Sequence, residues 1–221
     1  MTTPGEARAP LTRDRVLEAA VRLADAEGVR ALTMRRLAKT LSVEAMSLYH
    51  HVADKDEVLG GMVDRVFGEI ELPSAGADWR TAMRARAVSF RAALLRHRWA
   101  VGLVDSRPNP GPATLRHHDA VLGCLRRAGF TVAGAAHAFS VLDSYIFGFA
   151  LTELNLPFST PDELEQVGAA ILGVMPADGY PHLTELMTEH ALKPGYRHTD
   201  EFGFGLGLIL AGLEGVRTGG S

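Results

Sequence analysis

LTMRRLAKTLSVEAMSLYHHVADKDEVL, residues 32–59, holds three helix starts in close succession. Thr33 is placed to cap a short helix carrying Leu37, Ala38 and Leu41, which Ser42 breaks. A second short helix is expected from about Glu44 to His50, with Val43 and Leu48 turned inward. Asp54 followed by Glu57 is a capping-box pattern that restarts the chain as a longer helix, and Asp56 and Glu57 suit the positive end of its dipole. Upstream, Thr12 caps a longer helix in which Val16, Leu17, Ala20, Val21, Leu23 and Ala24 recur at three- and four-residue spacing until Gly28. One supporting helix and two short ones split by a tight turn form the layout of a helix-turn-helix reader of double-stranded DNA.

The second short helix of such a unit enters the major groove, so its outer face must suit bases and phosphates. That face holds Ala45, Met46, Ser47, Tyr49 and His50. Ala45 permits close approach, Met46 offers apolar contact, and Ser47 and Tyr49 can donate to phosphate oxygens. Lys55, in the first turn of the next helix, can reach a phosphate beside the groove, although an exposed solubilising lysine has the same look. His50 and His51 would point about 100° apart on a helix and lack further ligands, so no metal site is expected.

The formal net charge of −3 conceals a gradient: Arg30, Arg35, Arg36 and Lys39 lie in a stretch without acids, while the excess of acids follows residue 56. Attraction between exposed charges decays over ~8 Å in physiological salt, so a local basic patch can meet DNA on a mildly acidic protein. The 221 residues, 47% hydrophobic and 22% charged, are ordinary for a folded soluble domain. Cys124 is the sole cysteine, which excludes an intrachain disulfide and fits a reducing cytoplasm, and its expected place is the core. MTTPGEARAP lacks the apolar stretch of a signal peptide, and no apolar run reaches the ~20 residues that span a bilayer. The chain therefore reads as cytoplasmic, with no membrane partner.

Residues 11–66 as a whole resemble the DNA-binding domain of the tetracycline-repressor (TetR) family, most specifically in EGVRALTMRRLA, LSVEAMSLYHHV and DKDEVL. The resemblance implies a homodimeric, all-helical transcriptional regulator, usually a repressor. Such a protein leaves a palindromic operator when its larger C-terminal domain binds a small-molecule effector. It carries DNA contacts onto Thr33, Met34 and Arg35, onto Ala45, Met46, Ser47, Tyr49 and His50, and onto Lys55. SFRAALLRHR, RRAGF and EFGFGLGLILAGLE extend the likeness to the C-terminal domain of the tetracycline-repressor subgroup. There the last helix and a helix over about 135–154 form a four-helix dimer interface. FGFGLGLILAGL agrees on its own account, because its glycines allow close packing and Phe202, Leu206, Ile209, Leu210 and Leu213 make a broad apolar face, expected to meet a second copy. A buried core face is the plainer reading of the same pattern.

The expected architecture is all-α: a tail over 1–10, a three-helix DNA-binding domain over 11–57, and an effector-binding and dimerisation domain over 58–218 reached through a long helix. Members of the subgroup that hold magnesium-bound tetracycline use histidines, an acid and an asparagine, where this chain has Leu103 or Val104, Thr152, Phe67 and Arg86. No cofactor is expected, and tetracycline recognition through a metal is not. Ligand-lining candidates are Phe67, Arg86, Phe90, Trp99, Leu103, Val104, Leu122, Tyr145, Phe149 and Met175. Arg86 sits one turn before Phe90 on an apolar stripe, where a guanidinium can take a carboxylate or phenolate, or else a salt bridge to Asp105 or Asp119. The segment 156–183, rich in proline, reads as a flap or a crossover loop.

Two other classes remain in view. His117, His118, Asp119 and His137 could serve an enzyme as acid–base groups, but no nucleophile motif, phosphate loop or paired metal-binding histidines accompany them, so no enzyme is expected. A helical protein–protein interaction module that has lost DNA binding is the third possibility, kept open by the few polar base contacts that Ala45 and Met46 can make.

Overall fold

A computed structural model describes residues 10–74, 76–104, 109–176 and 179–218. Apart from Pro10, the expected N-terminal tail lies outside them. The all-α expectation holds: among the described residues the regular structure is helical throughout. Helices α1 (Arg13–Glu27), α2 (Met34–Leu41), α3 (Ala45–Leu48) and α4 (Lys55–Gly68) come first. They are followed by α5 (Trp79–Arg96), α6 (Pro112–Arg127), α7 (Val132–Leu154), α8 (Pro161–Val174), α9 (Pro181–Leu186) and α10 (His198–Thr218). The segment expected as a flap or loop is largely helical, because Thr160 and Glu163 form a reciprocal capping box that starts α8 behind Pro161.

The backbone forms two compact units, 1–124 and 125–221, whereas the expected border lies at 57/58. Helix α4 runs unbroken through that border. It is held to α1 by a close approach at Gly61, where an added Cβ would stand 2.6 Å from Leu17 Cδ2. Gly60, the adjacent residue, has nothing within 4 Å of the same position. The two neighbours should respond in opposite directions. Gly61→Val is expected to destabilise the chain by about 1–3 kcal/mol through overpacking. Gly60→Ala should stabilise it by about 0.5–1 kcal/mol through lower backbone entropy in the unfolded chain. Chemical denaturation of both variants checks this, and equal signs would contradict the packing described.

In the first unit, Val16, Leu17, Ala20, Leu23, Leu37, Leu48, Val52, Val58 and Met62 make a buried core beneath the short helices. In the second, α7 and α10 pack together through Leu142, Ile146, Phe202, Leu206 and Leu210, all buried. This corrects the expected dimer face. Phe202, Leu206, Leu210 and Leu213 are consumed inside the chain and Ile209 is half-buried. The large apolar residues left outside are instead Phe204, Leu208 and Val216 on α10 and Val132, Val141 and Leu151 on α7. A helix offers more than one apolar stripe when its sequence is apolar nearly all round, and spacing alone does not say which stripe is used first. Helix α7 is long and apolar enough to satisfy the length and composition of a membrane span, contrary to the sequence reading, and about a quarter of its most apolar window is buried.

Candidate nucleic-acid interface and effector site

The turn between α2 and α3 is made by Ser42, whose backbone is left-handed at φ 52°, ψ 49°. Its N–H donates to carbonyls at the end of α2, so the chain turns there and α3 starts three residues later, at Ala45. Thr33 caps α2 by accepting from Arg36 N at 3.1 Å. Helix α3 is shorter than expected: it ends at Leu48, and Tyr49 and His50 lie in the turn behind it. Leu48 is fully buried, while Val43 is only half-buried.

The nine residues expected to meet DNA all reach the surface. Thr33, Arg35, Met46, Tyr49, His50 and Lys55 are exposed, and Met34, Ala45 and Ser47 are half-buried. Met46 is 73% exposed and Tyr49 45%. Arg30, Arg35 and Lys39 border an open concavity with Thr33 and Ala45, and among the described residues these three cations form no salt bridge. Arg36 does: it pairs with Glu27. Lys55 opens α4, which Asp54 caps by accepting from Glu57 N at 2.8 Å. Glu57 closes the box one residue earlier than expected, accepting from Ala53 N at 2.7 Å rather than from Asp54. That backbone bond, with help from Arg13, holds the Glu57 carboxyl below its ordinary range against the opposing effect of burial.

A second constellation joins α4, α5 and α6. Phe67 and Phe90 lie with ring centroids 5.5 Å apart, and His117 lies 5.3 Å from Phe67 and 5.8 Å from Phe90. Arg86, only 1% exposed, stands over the Phe90 ring at 5.3 Å and donates Nε–H to His117 Nε2 at 3.1 Å. Asp119, one of its two expected partners, is exposed on α6, and Asp105 lies outside the described residues. Burial, followed by the charge of Arg86, pushes His117 down to about 3. Sequence reasoning places His117 only among possible acid–base groups. Its position one helical turn beyond Ala113 and Thr114, facing α4, is not visible in the spacing of α6 itself.

Other ligand-lining expectations fare differently. Trp99 is buried but donates Nε1–H to Asp25 Oδ1 at 2.7 Å, so its polar edge is spent on α1. Beside it His97 places Nδ1 2.8 Å from Asp25 Oδ1 and Nε2 3.1 Å from Glu69 Oε1, which links α1, the end of α4 and the end of α5. Leu122 is exposed on α6. Leu103 and Val104 are half-buried after the short helical turn at Arg98–Gly102. Tyr145 and Phe149 belong to the second unit, where both pack on Phe202 and Tyr145 Oη donates to the Phe202 carbonyl at 3.0 Å. Met175 ends α8 half-buried. Among the described residues no group of three or more histidines, cysteines, aspartates and glutamates is placed to hold a metal.

A helix-turn-helix presented by a capped α4, with a separate buried cluster on α4 and its neighbours, defines a DNA-binding regulator with an effector domain. Residues 16–62 match the bacterial regulatory proteins of the tetR family, and residues 72–217 match the tetracyclin repressor-like C-terminal domain. The chain belongs to the TetR family and is a DNA-binding transcriptional regulator. It is 38% identical over 213 residues to the HTH-type transcriptional repressor DrrR1 of Streptomyces coeruleorubidus, covering 92% of this chain and 77% of that one. The tetracycline repressor class D of Escherichia coli is 32% identical over 152 residues, 66% of this chain and 67% of that one. The Streptomyces coelicolor TetR family protein ActR, solved in complex with actinorhodin, superposes with a TM-score of 0.77 at 30% identity, covering 94% of this chain and 99% of that chain.

Proposed function

We propose that this chain represses transcription as a homodimer bound to a palindromic operator and is released when a small effector enters the cluster around Phe67, Arg86 and Phe90. The observation that carries the DNA half of this reading is the surface around Ser42. Folding has no use for a methionine 73% exposed and a tyrosine 45% exposed at the tip of a four-residue helix, next to Arg35 and Lys39, which form no salt bridge among the described residues. Thr33, Met34, Arg35, Ala45, Met46, Ser47, Tyr49, His50 and Lys55 form the DNA-contacting set. Met46 and Ala45 touch base edges, and Ser47, Tyr49, Arg35 and Lys55 hold phosphates.

The second copy covers the apolar residues that α7 and α10 leave outside. Phe204 is 69% exposed and Leu208 61%, one helical turn apart on α10. Two reading heads then fall in successive major grooves, about 34 Å apart on B-DNA. The effector acts through its preference for one of two arrangements of α4, which carries Phe67 at one end and Lys55 at the other. The cytoplasm is the compartment in which such a protein meets its operator.

The test is a titration of the full chain into fluorescent duplexes tiled from the DNA flanking its gene, then from the genome, with a scrambled duplex at the same salt. Competable binding of one dimer to a tile is the expected result. If no duplex exceeds the scrambled control, the repressor reading fails and the interaction-module reading takes its place.

A further inference from the structure

His117 is fully buried, and its two ring nitrogens have different fates. Nε2 faces the Nε–H of Arg86 at 3.1 Å. A guanidinium in a protein only donates, so Nε2 must supply a lone pair, and the neutral imidazole carries its proton on Nδ1. Burial and the Arg86 charge keep the ring neutral at any physiological pH. Among the described residues the Nδ1 atom, itself shielded from water, has no hydrogen-bond partner. A buried donor left without an acceptor costs about 1–3 kcal/mol, and such groups are rare in folded proteins.

From this orphaned donor we infer that the effector is an aromatic acid or phenol whose ionised oxygen accepts from His117 Nδ1–H while its rings pack among Phe67, Phe90 and His118. The inference rests on the effector-responsive reading above and names the ligand class of that same site. Arg86 does two things here. It fixes the tautomer that makes Nδ1 a donor, and its positive charge across the same imidazole favours an anionic acceptor over a neutral one. The aromatic half of the ligand follows from the walls: the Phe67 ring lies 5.5 Å from Phe90 and meets His118 edge-on at 5.5 Å, so a ligand that enters among them is bounded by aromatic rings. His118 also borders a cavity of about 230 Å³ with Val63, Val104 and Thr114, which gives a ligand a place beside the cluster. Nδ1 is covered in the structure, so binding must displace a side chain over it. Phe67, whose ring lies 5.3 Å from that of His117, is on α4, so a ligand that moves it acts on the helix that opens with Lys55.

The experiment compares 2-naphthoate with naphthalene-2-methanol, which share rings and shape but not the charge. Both are titrated calorimetrically into the full chain, and the histidine ring nitrogens of ¹⁵N-labelled protein are followed by NMR. The expected result is at least tenfold tighter binding of the acid, a His117 signal of the Nδ1–H tautomer in the free protein, and a shift of that nitrogen on binding. His117→Phe should abolish the preference for the acid. His117→Gln, whose amide can both accept from Arg86 and donate to the ligand, should restore part of it, which a purely structural role of the ring would not do. Equal affinities, an Nε2–H tautomer, a preference that survives in His117→Phe, or no binding of either probe overturns the inference. The operator titration of the wild-type chain separates the two levels: operator binding without acid preference sinks the inference alone, and absence of operator binding sinks the reading beneath it.

Discussion

Acidification from pH 6.5 to about 3 is expected to remove up to about 5 kcal/mol of stability through His117 alone. The cause is burial first, then the neighbouring charge of Arg86, then that of His118. Below pH 6.5 the unfolded chain takes a proton on this imidazole, while the folded chain refuses it until about pH 3. Throughout that window the unfolded state binds more protons, so stability falls as the pH falls, and it levels off once both states are protonated. The ceiling is the gap between the two values at about 1.4 kcal/mol per pH unit. Denaturation curves at a series of pH values, for the wild type and for His117→Phe, give the contribution as a difference of slopes. The variant keeps a ring against Phe67 and Phe90, so it can shift the absolute stability without disturbing that comparison. Parallel curves for the two proteins would contradict the buried neutral histidine.

Removing Arg35 and Lys55 together is expected to weaken operator binding by at least about tenfold at physiological salt and to flatten its salt dependence. Each phosphate that no longer has a cation against it lowers the slope of log affinity against log salt by about 0.9. Two such phosphates in each half of a dimer predict a total change of about 3 to 4. Both side chains are exposed, and neither forms a salt bridge among the described residues, so each is available to a phosphate. Arg36→Ala is the internal comparison. Its guanidinium is paired with Glu27, and its removal should leave the slope nearly unchanged. A salt titration of the operator complex reads all three proteins, and a double variant with the wild-type slope would remove Arg35 and Lys55 from the interface.

What is legible in the sequence varies with the range of the interaction. The caps at Thr12, Thr33 and Asp54 can be read directly, because a cap is a bond between residues two or three apart. The end of α3 cannot, because a one-turn helix gives too few periodic positions to mark it. The pattern of α10 points to Phe202, Leu206, Leu210 and Leu213 as a dimer face because that helix is apolar on more than one side. Only the packing of α7 reveals that this stripe is already covered. Trp99 looks like a pocket wall by its size, and nothing near it in the chain announces Asp25.

The sequence by itself determined the helical class, the helix-turn-helix with its caps and turn, and the surface position of the side chains proposed to meet DNA. These depend on local hydrogen bonds and on periodicity, both written within a few residues. Tertiary structure alone decided which apolar stripe is core, that His97 and Trp99 meet Asp25 and Glu69, and that Arg86 turns His117 into an unanswered donor. Those outcomes join residues 28 to 74 positions apart, and the partner of a polar group at such a distance is fixed by how helices pack rather than by any pattern along the chain.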